Sequence, residues 1–268
     1  MATDHPARNL AFDAKLQQCP ASSILDAAAP APVHSTMSLP RAPQAVIFDM
    51  DGLIFDTEAL YQQAYIEAAA LGGHDVPADV IRLVIGVPWV RGRGLLLQKL
   101  GAQFPIDDYY RQMTDRFWEL SATELRLMPG VIELLDVLDR FDLPRCIATS
   151  SAHDTVHHHL SAHDLNHRFH AVIGHGDYLN SKPAPDPYLL AAERLGVPAG
   201  LCLALEDSHG GVRSASAAGM MTIMVPDLIP PTAEIADLCV HVAESLHDVT
   251  KLILNSRLDA GSVTLTTL

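Results

Sequence analysis

Asp49 and Asp51 stand two residues apart at the end of the apolar run Ala45-Val46-Ile47-Phe48, and Gly52 follows at once. Carboxylates that close repel each other unless a cation lies between them or one keeps its proton. Both arrangements have a chemical use. An ionised aspartate beside a divalent ion can attack phosphorus as a nucleophile, and a second aspartate two positions on can pass a proton to the leaving oxygen. Gly52 permits a tight turn that brings a backbone amide toward an anion. The competing reading is a polar loop that caps the next helix, a role that Asp56 or Thr57 suits before the helical run Ala59–Leu71.

Three further polar groups follow apolar segments or precede a helix: Thr149-Ser150-Ser151, Lys182-Pro183-Ala184-Pro185, and Glu206-Asp207-Ser208. Taken singly they read as a helix cap, a surface lysine and an acidic turn. If the segments are parallel strands, their carboxyl ends bring all three groups to the sheet edge that holds Asp49 and Asp51. A hydroxyl with its amides, a cation and an acid pair there make a pocket for phosphate and a metal ion.

The elements that must position these groups are legible in the apolar spacing. Val46, Ile47 and Phe48 read as a buried parallel strand. From Glu58 to about Leu127 the apolar residues recur at helical spacing over Ala59–Leu71, Ala78–Ile85, Gly94–Leu100 and Asp107–Leu125, without strand alternation. After Pro129-Gly130 the pattern alternates: a helix through Val131 and Leu138, strands at Cys146–Ala148 and Ala171–Ile173, a helix Asp186–Leu195, a strand Leu201–Leu205, a helix Gly210–Ala218 and a strand Met221–Val225. Repeated strand and helix units predict an α/β fold with a parallel sheet covered on both faces. The expected division is a discontinuous α/β core over 44–57 and 128–254, an inserted helical domain over 58–127, a poorly ordered extension over 1–43 rich in Ala, Pro, Ser and His, and a C-terminal tail over 255–268.

The 268 residues are 49% hydrophobic and 19% charged, which describes an ordinary soluble globular chain. A formal net charge of -14 argues against nucleic acid or an anionic membrane as partner, because both would repel it. Any phosphate pocket must therefore be positive locally. Cys19, Cys146, Cys202 and Cys239 are far apart and read as reduced thiols. With no apolar run of membrane-spanning length and no secretory segment in Met1–Leu10, a cytoplasmic protein is expected, as a monomer or a homodimer.

In order and spacing, these four motifs over roughly residues 44–250 resemble the haloacid dehalogenase superfamily, and within it the phosphatases and phosphoglucomutases with a helical cap between the first and second motifs. The resemblance implies a Rossmann-like core, Mg²⁺ and an aspartyl-phosphate intermediate. It makes Asp49 the nucleophile and a metal ligand. Asp51 becomes general acid and then base, lending its backbone carbonyl to the metal. Gly52, Thr149, Ser150 and Lys182 hold the phosphoryl group, and Asp207 completes the metal site with Glu206, either directly or through water. Phosphoglucomutases of this family tend to carry a histidine twelve residues after the nucleophile, where this chain has Tyr61, so water is favoured as the final acceptor. Dehalogenases resemble the pattern without the second aspartate, so phosphorus is the better target than carbon. Lys99, the one lysine of the cap, sits late in a helical run and does not suit Schiff-base chemistry.

The expected activity is Mg²⁺-dependent hydrolysis of a small phosphorylated metabolite, a sugar phosphate or a phosphoglycolate-like compound. A phosphosugar mutase is the alternative, and a binding protein that has lost turnover is a more distant one. Arg91 and Arg93 are candidates for contacting the substrate from the cap, against the plainer reading of solvated charges at a helix start. Seven of the 14 histidines fall between His153 and His170, and the i, i+4 pairs His153/His157, His159/His163 and His163/His167 have a spacing that could hold a transition metal. Without an accompanying carboxylate signature they read as a solvated helix and loop, with adventitious metal binding as the alternative.

Overall fold

The computed structural model describes residues 38–264, apart from 86 and 88. Among these residues six strands form one fully parallel sheet: β1 (Ala45–Phe48), β2 (Arg145–Ala148), β3 (Ala171–Ile173), β4 (Cys202–Glu206), β5 (Met221–Met224) and β6 (His241–Val242). Their spatial order is β3-β2-β1-β4-β5-β6. The order reverses direction between β1 and β4, which makes that crevice the ligand site of an open α/β sheet.

Side-chain alternation explains why the sheet is covered twice. Val46 and Phe48 of β1, with Ile147, Leu203, Leu205 and Ile223 of neighbouring strands, enter one core cluster, whereas Ala45 and Ile47, with Cys146, Ala148, Cys202 and Ala204, enter the other. On the first face lie α5 (Val131–Arg140), α6 (His153–Ala162) and α10 (Leu246–Thr264), which contribute Leu134, Leu138, Val156, Leu160, Val249 and Ile253. On the second lie α7 (Asp186–Leu195) and α8 (His209–Ala217), whose Ala191, Ala192 and Ala215 let the helices approach the strands closely. The short α9 (Ala233–Asp237) closes the β5 side through Ile235 against Val212 and Met224.

Between β1 and α5 the chain makes four helices: α1 (Thr57–Leu71), α2 (Ala78–Arg82), α3 (Trp89–Leu100) and α4 (Ile106–Glu124). α1 packs along α4. The rings of Tyr61 and Phe117 stack at 3.9 Å, and the Tyr109 hydroxyl donates to the Tyr65 carbonyl at 2.9 Å. A buried aromatic pair of this kind contributes about 1 kcal/mol beyond its area. The chain leaves and re-enters the core along adjacent segments. Asp56 N donates to Arg126 O at 3.0 Å, and Met128 N donates to Ile54 O at 2.9 Å.

Several boundaries differ from the sequence expectation. α3 begins at Trp89 rather than Gly94, since the ring of Trp89 stacks on Tyr110 at 3.6 Å and tertiary packing carries the helix through Gly92 and Gly94. α2 stops at Arg82 instead of Ile85. Most of the 1–43 extension lies outside the described residues, but its last part is packed: Leu39 belongs to the core, and Arg257 donates to the Pro43 carbonyl at 2.8 Å. α10 runs on to Thr264, through the point where the tail was expected to start at 255, and Ser256 is buried.

Candidate active site

β1 delivers Asp49 beside β4, because the Asp49 amide donates to Leu205 O at 2.9 Å and continues the ladder one residue past the strand. Glu206 and Asp207 therefore emerge next to it. Asp49, Glu206 and Asp207 each offer a carboxylate oxygen within 4.8 Å of the others. Lys182 enters from the loop before α7 and bridges two of them, with Nζ 2.5 Å from Asp49 Oδ1 and 2.5 Å from Glu206 Oε1. Its side chain is 8% exposed, that of Glu206 is 0% exposed, and so the ammonium is held almost wholly by these acids. Burial works against its charge, but Asp49 and Glu206 outweigh burial and raise its pKa.

One ammonium does not balance this cluster. Burial, opposed by Lys182 and assisted by Glu206 and Asp51, pushes the Asp49 carboxyl up to about 7. Burial, then Asp49 and Glu206, lift Asp207 well above the ordinary carboxylate range. A further positive charge would relieve both groups, and an all-oxygen donor set suits a hard divalent cation. Gly52 makes room for Asp207: it adopts φ +78°, and a Cβ there would lie 2.6 Å from Asp207 Oδ2. The residues thus fit a divalent metal.

The carboxyl end of β2, beside that of β1, adds the hydroxyl group. Thr149 follows β2, its amide donating to Ile173 O at 2.9 Å, and its side chain is buried and accepts from Ser151 N at 3.0 Å. Ser150 is exposed. Asp51 accepts from Ser151 Oγ at 2.7 Å and adds its charge to the field on Asp49. The structure thus joins Asp49, Lys182, Glu206 and Asp207 directly, ties Asp51 to the Thr149–Ser151 loop, and sets Gly52 against Asp207.

The arginines are placed differently. Arg93 bonds Asp107 within the cap, with Nε and a terminal nitrogen at 3.2 and 3.3 Å, and Arg91 is exposed. No hydrogen bond or ion pair joins either to the acids among the described residues. The expected side-chain cap at α1 is also missing: Asp56 occupies the N-cap position without a cap hydrogen bond, and Thr57 Oγ1 is buried without a partner. In the histidine run His153, His157, His167 and His170 are exposed, as a solvated helix and loop requires, and His159 is the exception. His159 is fully buried against Phe55 and Phe117, burial lowers its pKa, and His163 Nε2 lies 3.0 Å from Leu125 O.

Several contributors escaped sequence reasoning. Tyr188 on α7 donates to Glu206 Oε1 at 2.5 Å, and burial followed by Glu206 raises its pKa well above the ordinary phenol range. Ser208 donates to Glu206 Oε2 through its amide at 3.3 Å and its hydroxyl at 3.1 Å. Gly211, on the first turn of α8, lies so close that a Cβ there would overlap the Glu206 carboxyl group. The glycine pair Gly210-Gly211 at a helix start was a signal of close backbone approach. Glu58 keeps one carboxylate oxygen buried without a partner, and burial, then Asp51 and Asp227, push it up to about 7.

A parallel sheet with an acid cluster and a lysine at its topological switch point defines a Rossmann-like α/β protein with a metal-competent site. The family model described as "Haloacid dehalogenase-like hydrolase" matches residues 46–225, and the chain belongs to that family. A Drosophila melanogaster protein named "Probable pseudouridine-5'-phosphatase" is 37% identical over 187 residues, covering 68% of this chain and 80% of the relative. A Thermotoga maritima protein named "Phosphorylated carbohydrates phosphatase" is 32% identical over 180 residues, 67% of this chain and 83% of the relative. Among solved structures, CbbY from Rhodobacter sphaeroides in complex with phosphate superposes with a TM-score of 0.63 at 29% identity, covering 76% of this chain and 95% of that one.

Proposed function

We propose that this protein is a Mg²⁺-dependent phosphatase that hydrolyses a small phosphorylated metabolite, a sugar phosphate or a phosphoglycolate-like compound, in the cytoplasm. The observation that carries the reading is the bridge from Asp49 through Lys182 to Glu206, built at the sheet's switch point beside Asp207. A lysine between two buried carboxylates is costly as structure alone. It suits phosphoryl transfer, which needs alignment and compensation of spread negative charge more than covalent chemistry. The names of the two phosphatase relatives support the substrate class.

In this reading Asp49 Oδ attacks phosphorus, the bond to the leaving oxygen breaks, and Asp51 gives that oxygen its proton. Asp51, then ionised, takes a proton from water, which attacks the aspartyl phosphate and returns Asp49 with release of inorganic phosphate. Ser151 holds the Asp51 carboxyl group in place through a hydrogen bond to Oδ2. Thr149, the amide of Ser150 and Lys182 hold the phosphoryl oxygens. Asp49, Asp207 and the Asp51 carbonyl, with Glu206, would hold Mg²⁺, which when bound offsets the charge of the crowded acids and of the phosphoryl group. The reduced thiols of Cys146, Cys202 and Cys239 accord with a cytoplasmic setting.

The mutase alternative meets Tyr61 where a histidine would be expected, and the Tyr61 ring is stacked on Phe117 inside the cap. A screen of phosphorylated metabolites with Mg²⁺ tests the proposal through release of inorganic phosphate. Isomerised sugar phosphate without phosphate release supports the mutase, and no turnover of any member or of an aryl phosphate refutes both readings.

A further inference from the structure

Glu206 lies at the floor of the site, and four hydrogen bonds from its own chain reach its carboxylate. Oε1 accepts from Lys182 and from the Tyr188 hydroxyl, both at 2.5 Å, while Oε2 accepts from the amide and hydroxyl of Ser208. Tyr188 itself is 0% exposed, the largest residue on the buried face of α7 among Pro187, Ala191 and Ala192. Its ring fills the sheet-facing core and lies under the Lys182 ammonium, 5.0 Å from ring centroid to Nζ. Its oxygen is also 3.4 Å from Nζ.

Packing accounts for the ring and leaves the hydroxyl unexplained. A phenylalanine would fill nearly the same volume without carrying a polar group into the core, where an unbonded hydroxyl costs roughly 1–3 kcal/mol. Here the hydroxyl is bonded, and its acceptor is the oxygen that also receives Lys182. Without it Oε1 would keep one bond fewer and the carboxylate would be freer to rotate about its terminal torsion, which is broad and roughly two-fold. Lys182 reaches Asp49 from that same oxygen, so any rotation of Glu206 is passed on to the ammonium beside the nucleophile.

We propose that Tyr188 is a positioning residue: its hydroxyl fixes Glu206 Oε1, and through that oxygen fixes Lys182 Nζ on Asp49 and on the incoming phosphoryl group. The proposal rests on the phosphatase reading for its catalytic consequence, whereas its geometric content concerns Lys182 alone.

The variant is Tyr188→Phe, which keeps the ring over Lys182 and removes only the donor. Turnover of p-nitrophenyl phosphate with Mg²⁺ should fall on the order of tenfold in kcat with KM changed less than about twofold, as expected when one hydrogen bond to a charged group is lost from the reacting arrangement. Inorganic phosphate binding to the metal-free protein, followed by calorimetry, should weaken several-fold, and the thermal midpoint should fall by roughly 3–12 °C. A double-mutant cycle with Glu206→Ala, which removes the acceptor, supplies the readout that a packing role would not move. If Tyr188 acts through Glu206, adding Tyr188→Phe to Glu206→Ala costs less than about twofold further. Wild-type-like kcat and phosphate affinity in Tyr188→Phe, or costs that multiply independently in the cycle, overturn the proposal. A wild-type protein without Mg²⁺-dependent turnover overturns the phosphatase reading instead, and phosphate affinity in Tyr188→Phe then decides the role of Tyr188.

Discussion

Gly210 and Gly211 are neighbours on the first turn of α8, and replacing each by alanine should move stability in opposite directions. Alanine gains up to about 1 kcal/mol over glycine in a helix. At Gly210 nothing lies within 4 Å of the added Cβ, so Gly210→Ala should realise part of that gain. At Gly211 the Cβ would overlap the Glu206 carboxyl group, which is walled in by Lys182, Tyr188 and Ser208. Glu206 must then move, and a shift that breaks two of its four hydrogen bonds costs roughly 1.5–3 kcal/mol for each. The loss outweighs the helix gain and leaves a net destabilisation of about 2–5 kcal/mol. For a domain of this size each kcal/mol shifts the midpoint by about 2–4 °C, so Gly211→Ala should melt roughly 4–20 °C lower while Gly210→Ala melts level or slightly higher. Displacing Glu206 also releases Lys182 from Asp49, so kcat on an aryl phosphate should drop by roughly 100-fold in Gly211→Ala and change less than twofold in Gly210→Ala. Thermal melts and initial rates on the two variants side by side are the assay. A Gly211→Ala protein as stable and as active as Gly210→Ala would refute the packing argument and, with it, the view of Glu206 as a fixed anchor.

Asp49→Asn should lose turnover by at least about 1,000-fold while keeping a native melt, since the amide is isosteric but does not attack phosphorus; residual kcat near that of the wild type contradicts its role as nucleophile. Asp139 accepts from the buried Arg145 and pairs with Arg168 at 2.8 Å, and although burial opposes it, these guanidinium groups hold its carboxyl below the usual range. A depressed pKa stabilises the fold above the unfolded-state value, roughly 4, and that contribution is lost as pH falls through the folded-state value. Asp139→Asn should therefore lower urea stability at neutral pH, with the gap to wild type closing in acid; a gap independent of pH rules out the ion pair as the cause. Arg93 is engaged by Asp107, so Arg93→Ala should leave KM within about twofold, and a tenfold rise in KM would restore it as a substrate contact.

The sheet edge was legible because its chemistry breaks pattern: Asp49, Thr149 and Glu206 are polar residues where buried parallel strands end. The cap was legible as helices from apolar spacing alone, while α3 began earlier than its glycines suggest because Trp89 is fixed by stacking on Tyr110 from α4. Tyr188 was illegible as more than core because its ring is apolar and its hydroxyl meets Glu206 only after α7 docks on the sheet. His159 carried a readable sign, lying three residues after Val156 and next to Leu160 on the buried face of α6, but a run of histidines favours the solvated reading. The pairing of Asp51 with Ser151 spans 100 positions, and local pattern does not reach so far.

The paired segments at Ile54–Asp56 and Arg126–Met128 bear on how such a protein changes over evolutionary time. The backbone departs from the core and returns to it within a single hydrogen bond's reach, Met128 N to Ile54 O at 2.9 Å. A turn of a few residues would span that gap, so the length of the inserted helical segment is not fixed by the path of the core chain. The insert is nonetheless tied to the core through Phe117 and Trp118 of α4, which lie against His158 and His159 of α6, so a replacement module would have to present a matching aromatic face.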